Sequence, residues 1–259
     1  MSASGEGHFE IVHLLLEADA STDVAANDRQ TALMLASGQG HVEVARSLLE
    51  AGASKDGANS YGQTALIWAS DEGHVEIVHL LLETGAAVDL ADDGGQTALM
   101  RASEMGHVEI VRLLLEAGAN KDVAGNYGHT ALMAASGAGR VEIVRLLVET
   151  GTNKDAADIH GYSALMFASG AGHVFVVRLL LEAGANADLA DNIGCTALVR
   201  ASGQGHVDIV HFLLQAGARD VADTAFEAAS VAGHVEIIRL LLEAKAYKGA
   251  VTTTSTQLR

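Results

Sequence analysis

A Gly-His pair returns along this chain at Gly7-His8, Gly40-His41, Gly73-His74, Gly106-His107, Gly172-His173 and Gly205-His206, all on a 33-residue grid. Gly139-Arg140 fills the one remaining place, and a last pair, Gly233-His234, follows after 28 residues. A fixed period of this length argues against one globular core built from unlike elements. It predicts copies of a single small module, each too thin to bury its own apolar faces and therefore stacked on its neighbours.

The repeat that starts at Thr130 shows the module. Thr130 is a good helix N-cap, because its hydroxyl can accept one of the unpaired N–H groups of the first turn. The small and apolar run Ala131-Leu132-Met133-Ala134-Ala135-Ser136 predicts a short helix, which Gly137-Ala138-Gly139 breaks. Residues 141–149 predict a second helix, with Val141, Val144, Leu147 and Val148 at helical spacing. Gly151 is placed to end it in the left-handed conformation. Residues 152–161 are polar and rich in Gly, Asp and Asn, the mark of an extended loop or hairpin. Alanines of the first helix, such as Ala36 and Ala69, let neighbouring repeats approach closely. Leucines of the second, such as Leu113-Leu114-Leu115, supply buried area at about 1.5–3 kcal/mol for each large side chain.

Composition narrows the function classes. The charge is 16 positive against 33 negative, a net of −17. That balance argues against nucleic acid and anionic membranes as partners, since phosphate binding needs a basic surface. No apolar run approaches the roughly 18 residues of a membrane span, and no signal peptide is visible. A single cysteine, Cys195, cannot form an internal disulfide and fits a reducing, cytoplasmic setting.

The run Gly-x-Thr-Ala-Leu-Met-x-Ala-Ser-x-x-Gly-His-Val-Glu-Ile-Val-x-Leu-Leu-Leu-Glu-Ala-Gly-Ala resembles the ankyrin repeat over about residues 3–246. The resemblance implies a mainly α repeat solenoid: a curved stack of about seven to eight hairpin/helix-turn-helix modules. It also implies a non-catalytic scaffold that binds a protein on the concave face formed by fingers and first helices. The chain departs from the family in having Ala where Pro is usual and Met, Ile or Val where His is usual in Thr-Pro-Leu-His. Proline is absent altogether. The expected division is an incomplete N-terminal repeat (1–27), internal repeats (28–220), a C-terminal repeat with a shortened finger (221–247) and a disordered tail (248–259). Arg29 stands where later fingers carry glycine. These irregular ends fit either a segment of a longer array or an engineered array with no natural partner. They also raise self-association through the terminal repeats, because the helix expected from residue 9 to 18 lacks a complete outer neighbour.

Comparison of repeats within the chain separates packing positions, which stay fixed, from positions that vary. Tyr61, Tyr127 and His160 share one finger row, and His129 and Tyr162 share another. Trp68, Arg101, Phe167 and Arg200 share a first-helix row. Three of the four Tyr and the single Trp fall in these rows. Tyr, Trp and Arg are the side chains that carry interface hot spots. Tyr61, Trp68, Arg101, Tyr127, His129, His160, Tyr162, Phe167 and Arg200 therefore form the expected partner-binding strip. On that reading, truncating Trp68 and Tyr127 together should weaken binding and leave melting nearly unchanged. The alternative reading is tolerated surface residues, or inward packing for Trp68 and Phe167.

No catalytic, cofactor or metal residue is expected. The Gly-His histidines come one per repeat, and helices about 8–10 Å apart cannot bring such a row onto one ion. They are expected to be helix-start hydrogen bonders. His13, His79 and His211 share a second-helix row with Arg46, Arg112, Arg145, Arg178 and Arg239, where glutamates three or four residues away give a solvated charged face. No phosphate-binding glycine loop or nucleophile signature is present, which leaves an enzyme or small-molecule or metal-binding protein as a remote alternative.

Overall fold

The computed structural model describes residues 1–219 and 223–256, with side chains described as far as Lys245. It is an α repeat solenoid in class, and its helices come in pairs. Two compact bodies divide the chain, Met1–Ala135 and Ser136–Arg259.

The first body begins with one turn, α1 (Ser2–Gly5), paired with α2 (Phe9–Glu17). The pairs α3 (Ala32–Gln39) with α4 (Val42–Glu50), α5 (Ala65–Glu72) with α6 (Val75–Glu83), and α7 (Ala98–Met105) with α8 (Val108–Glu116) follow, and α9 (Ala131–Gly137) starts before the body ends. The second body holds the end of α9 with α10 (Val141–Glu149), then α11 (Ala164–Ala171) with α12 (Val174–Glu182) and α13 (Ala197–Gln204) with α14 (Val207–Gln215). It closes with α15 (Thr224–Ala232) and α16 (Val235–Thr256).

The local sequence sets these boundaries. The hydroxyls of Thr31, Thr64, Thr97, Thr130, Ser163 and Thr196 each accept the N–H three residues on, at 3.3–3.4 Å. First helices end on a left-handed glycine, as at Gly40 (φ 80°). Glycines such as Gly52 (φ 84°) follow the second helices in the same conformation. Asp19 (φ 56°) and Arg29 (φ 62°) occupy left-handed positions filled by glycine in later repeats, at a strain cost of about 1 kcal/mol each.

The fingers carry isolated antiparallel bridges, such as Ala91 with Thr97 and Ala190 with Thr196, where a hairpin was expected. Four fingers have an Asx-type turn in place of paired strands, while Ala26 and Gly125 stand at the same position in two others. Asn59 accepts the N–H groups of Tyr61 and Gln63 at 2.9 and 3.0 Å. Asp92, Asp158 and Asp191 do the same for their own fingers at 2.7–3.0 Å.

The core lies between helices of successive repeats. Ala36, Ala69 and Ala102 in the first body, and Ala168 and Ala201 in the second, are fully buried, as are Leu81, Leu114, Leu147, Leu180 and Leu213 on the second helices. The buried serines of the first helices, among them Ser70 and Ser169, have no side-chain hydrogen-bond partner.

The C-terminal end differs from expectation. The helix α16 continues to Thr256, through most of the segment expected to be a disordered tail. The glycine stop is missing there: Lys245 stands where Gly52, Gly85 or Gly217 follows the other second helices, although Gly249, Val251 and the threonines that follow are weak helix formers. Residues 220–222 of the shortened finger, at the expected 220/221 boundary, and residues 257–259 lie outside the described residues.

Candidate functional site

Within each body, three sets of hydrogen bonds tie one repeat to the next. At the fingertips, backbone N–H groups donate to carbonyls one repeat back: Ser60 to Asp28, Asp93 to Tyr61, Asn126 to Gly94 and, in the second body, Asn192 to His160, at 2.8–3.1 Å. At the finger base, an aspartate accepts the N–H of the residue 31 positions on, as from Ser54 to Asp23, Ala87 to Asp56, Asn120 to Asp89, Asn186 to Asp155 and Arg219 to Asp188 (2.7–2.9 Å). At the helix layer, the Gly-His histidines supply the third set.

These histidines do sit at helix starts, but they do not cap their own helices. In five of them Nε2 pairs instead with a backbone carbonyl 36 residues back, and His234 Nε2 pairs with Gly203, 31 residues back across the shortened finger. His41 reaches Gly5, His74 reaches Gly38 and His107 reaches Asp71 in the first body; His173 reaches Gly137 and His206 reaches Gly170 in the second, at 2.9–3.2 Å. With the carbonyl as acceptor, Nε2 carries the proton. The preceding repeat's glycine makes room for the ring: a Cβ on Gly40 would lie 2.7 Å from His74. Gly-His is thus a two-part joint, glycine receiving from the next repeat and histidine reaching into the previous one.

The variable rows stand on this frame. In the first body, Tyr61 and Tyr127 project from fingertips, each 63% exposed. Trp68 is half-buried. Its ring lies against Gly38, where an added Cβ would be 2.5 Å away. Its indole Nε1–H donates to Gln63 Oε1 at 3.0 Å, and Asn59 Nδ2 donates to the same oxygen at 3.0 Å. Arg101 pairs with Asp92 at 3.0 Å. Trp68 and Arg101 line one groove of about 180 Å³ together with Gln39, Gln63, Asp71 and Glu72. His129 is half-buried at its own finger base.

In the second body four predicted residues converge. Tyr162 meets Phe167 edge-on at 5.7 Å between ring centroids, and His160 lies 6.0 Å from Tyr162. Arg200 places its guanidinium 3.8 Å over the Tyr162 ring and its Nη2 2.6 Å from Asp191 Oδ2. The Asp191 side chain is fully buried. Burial alone would raise its pKa. The N–H groups of Cys195 and Ile193 and the Arg200 guanidinium outweigh that and hold it below the ordinary carboxylate value. Burial likewise opposes the charge on Arg200, and its bond to Asp191 with its contact to Tyr162 raises its pKa on balance.

The strip is therefore of two kinds. Tyr61, Tyr127 and His160 are exposed. Trp68, Arg101, Tyr162, Phe167 and Arg200 are partly spent on holding repeats and fingers together. Because the indole packs on Gly38 and anchors Gln63, truncating Trp68 is expected to lower the melting temperature as well. Asp92 and Asp191 read from sequence only as acidic finger residues that satisfy turns, and what that reading lacks is their pairing with Arg101 and Arg200. Their signal was a nine-residue spacing, with Asp92 preceding Arg101 and Asp191 preceding Arg200, while Asn59 precedes Trp68.

The second-helix row is a solvated charged face. His13 pairs with Glu17, Arg145 with Glu142 and Arg178 with Glu182 at 3.4–3.8 Å, all well exposed. Such pairs contribute about 0.3–0.5 kcal/mol each. Among the described residues no cluster of three or more His, Cys, Asp or Glu side chains could hold a metal ion. Cys195 is a half-buried free thiol. No described helix is long and apolar enough to cross a membrane.

Paired helices, glycine-terminated and joined by short fingers, define a repeat-built α solenoid. The family pattern "Ankyrin repeats (3 copies)" matches residues 1–92, 84–158 and 153–225, and the chain belongs to the ankyrin repeat family. It is similar to the crystal structure of the human ASB11 ankyrin repeat domain, with a TM-score of 0.76 and 27% sequence identity over 85% of this chain and 98% of that one. No curated protein sequence matches the chain. Ankyrin repeats are in general protein–protein interaction modules and typically non-catalytic.

Proposed function

We propose that this chain is a non-catalytic scaffold that binds a protein partner through its fingertips and first-helix rows. The contact residues are Tyr61, Trp68, Arg101, Tyr127 and His129 in the first body, and His160, Tyr162, Phe167 and Arg200 in the second. One observation carries the reading. Tyr61 and Tyr127 are large aromatic side chains held in solvent on fingers whose backbones are tied to the adjacent fingers. Burying a rigid side chain on a fixed backbone costs little ordering entropy, which is what makes tyrosine an effective anchor. The net charge of −17 favours a basic protein segment over nucleic acid or an anionic membrane. The lone cysteine fits a cytoplasmic setting.

The test uses a partner captured from a cell lysate and then purified. Tyr61→Ala with Tyr127→Ala is expected to weaken its binding at least tenfold by calorimetry, with the melting temperature within 2 °C of the parent, both estimates resting on exposed hot-spot truncation. The control pair Arg145→Ala with Arg178→Ala is expected to leave affinity unchanged. Equal affinity for the tyrosine variant and the parent would overturn the assignment. Capture of no partner from any lysate would favour an engineered array without a natural partner.

A further inference from the structure

The hexapeptide Ile-Val-His-Leu-Leu-Leu occurs twice, at residues 11–16 in α2 and at residues 77–82 in α6. Both copies form the same part of the same helix, yet their burial differs. Ile77, Leu80 and Leu81 are 0%, 6% and 0% exposed, whereas Ile11, Leu14 and Leu15 are 50%, 63% and 49% exposed. Sequence and local conformation being equal, the difference lies in the neighbour. Helix α6 packs against α4 on the side of the preceding repeat, whereas the main neighbours of α2 are α1 and, on the side of the following repeat, α4. What covers this face is therefore shown within the chain: the second helix of another repeat.

The opposite end presents the matching half. Helix α16 keeps the register of α14, and Ile237 is buried as Ile209 is. Val235 (58%) and Leu242 (51%) are exposed, while their equivalents Val207 and Leu214 are half-buried, and Ile238 is half-buried where Val210 is fully buried. Numbered along the second helix, positions three, six and seven are open at the N-terminal end. Positions one, four and eight are open at the C-terminal end. These two sets are the two sides of the junction that the chain forms between its own repeats.

We infer that a second copy of this chain docks its C-terminal repeat, through Val235, Ile238 and Leu242, on the Ile11, Leu14 and Leu15 face of the first. The proposal does not rest on the binding function above. The interface is heterologous, so a dimer keeps one open face at each end and accepts further copies. Charge opposes the approach of two chains of net −17, and association therefore strengthens as salt screens that repulsion.

Sedimentation of the purified chain tests it with two variants at exposed positions, each checked for retained helix content by circular dichroism. The parent is expected to grow beyond a dimer with concentration, more so at 0.5 M than at 0.05 M salt, about the range over which screening takes hold. Ile11→Glu with Leu15→Glu is expected to be monomeric alone, as is Val235→Glu with Leu242→Glu, each raising the dissociation constant more than tenfold. Mixed, the two variants are expected to form a dimer and nothing larger, because each retains the face the other lacks. A parent that stays monomeric at all concentrations overturns the inference. So does an oligomer that persists in either variant alone, or a mixture that remains monomeric.

Discussion

Arg200→Ala is expected to destabilise the chain by about 3 kcal/mol, the cost of leaving a buried carboxylate without its cation. The Asp191 side chain is fully buried, and Arg200 lies 2.6 Å from its Oδ2 while covering the Tyr162 ring. Arg145→Ala is the control, since Arg145 is exposed and pairs with Glu142 only at 3.8 Å. Its expected cost is under about 0.5 kcal/mol.

The pH dependence follows from the same pair. Asp191 titrates below its ordinary value in the folded chain. A depressed carboxylate contributes stability above the unfolded pKa of about 3.9, and that contribution is lost as pH falls through the lower folded value. The gap between the parent and Arg200→Ala in urea denaturation is therefore expected to be widest near neutral pH and to narrow in acid. A gap under about 0.5 kcal/mol at pH 7, or one that widens in acid, contradicts the role assigned to the pair.

Gly38→Ala and Gly170→Ala should move stability in opposite directions, although the two glycines are equivalent by the 33-residue period. In a helix interior alanine is favoured over glycine by about 0.5–1 kcal/mol. At Gly170 a new Cβ meets nothing within 4 Å, so the full gain is expected. At Gly38 it would lie 2.5 Å from the Trp68 ring. That ring cannot swing away without breaking its bond to Gln63, and overpacking of this kind costs about 1–3 kcal/mol. A net loss is expected for Gly38→Ala. In a Trp68→Ala background the same substitution is expected to become neutral or stabilising, which makes the pair a double-mutant cycle with a large coupling. Equal effects of Gly38→Ala and Gly170→Ala would remove the indole–glycine contact from the packing.

These contacts mark where the sequence stops being legible. The repeat register, the Thr and Ser caps and the glycine helix ends follow from signals a few residues apart, and the structure carries them out at Thr64, Gly73 and Gly85. Relations between repeats do not. The reach of His74 to the carbonyl of Gly38, 36 residues back, depends on how closely stacked helices approach. So does the seat of Trp68 on that same glycine. A period gives the step along the chain, not the offset across the junction. The Asp92–Arg101 and Asp191–Arg200 pairs were written in the chain as a nine-residue spacing, but their meaning needed the Asx turn that buries the acid beneath the first helix. The C-terminal segment carries two opposed signals. A Thr-rich composition suggests disorder, while Lys245, which replaces the glycine stop, lets α16 run on.

The division of the variable rows also changes what an alanine scan can mean. Truncation at Trp68, Arg101 or Arg200 removes packing and ion pairing along with any partner contact. Tyr61 and Tyr127 report on binding alone, because their side chains stand in solvent. The most direct measurement places a photo-cross-linking side chain at position 61, 127, 145 or 178, one at a time, and exposes each variant to light with the captured partner bound. Cross-links at 61 and 127 with none at 145 and 178 are the expected result. Cross-links at 145 and 178 with none at the fingertips would place the partner on the second-helix face and contradict the proposed binding surface.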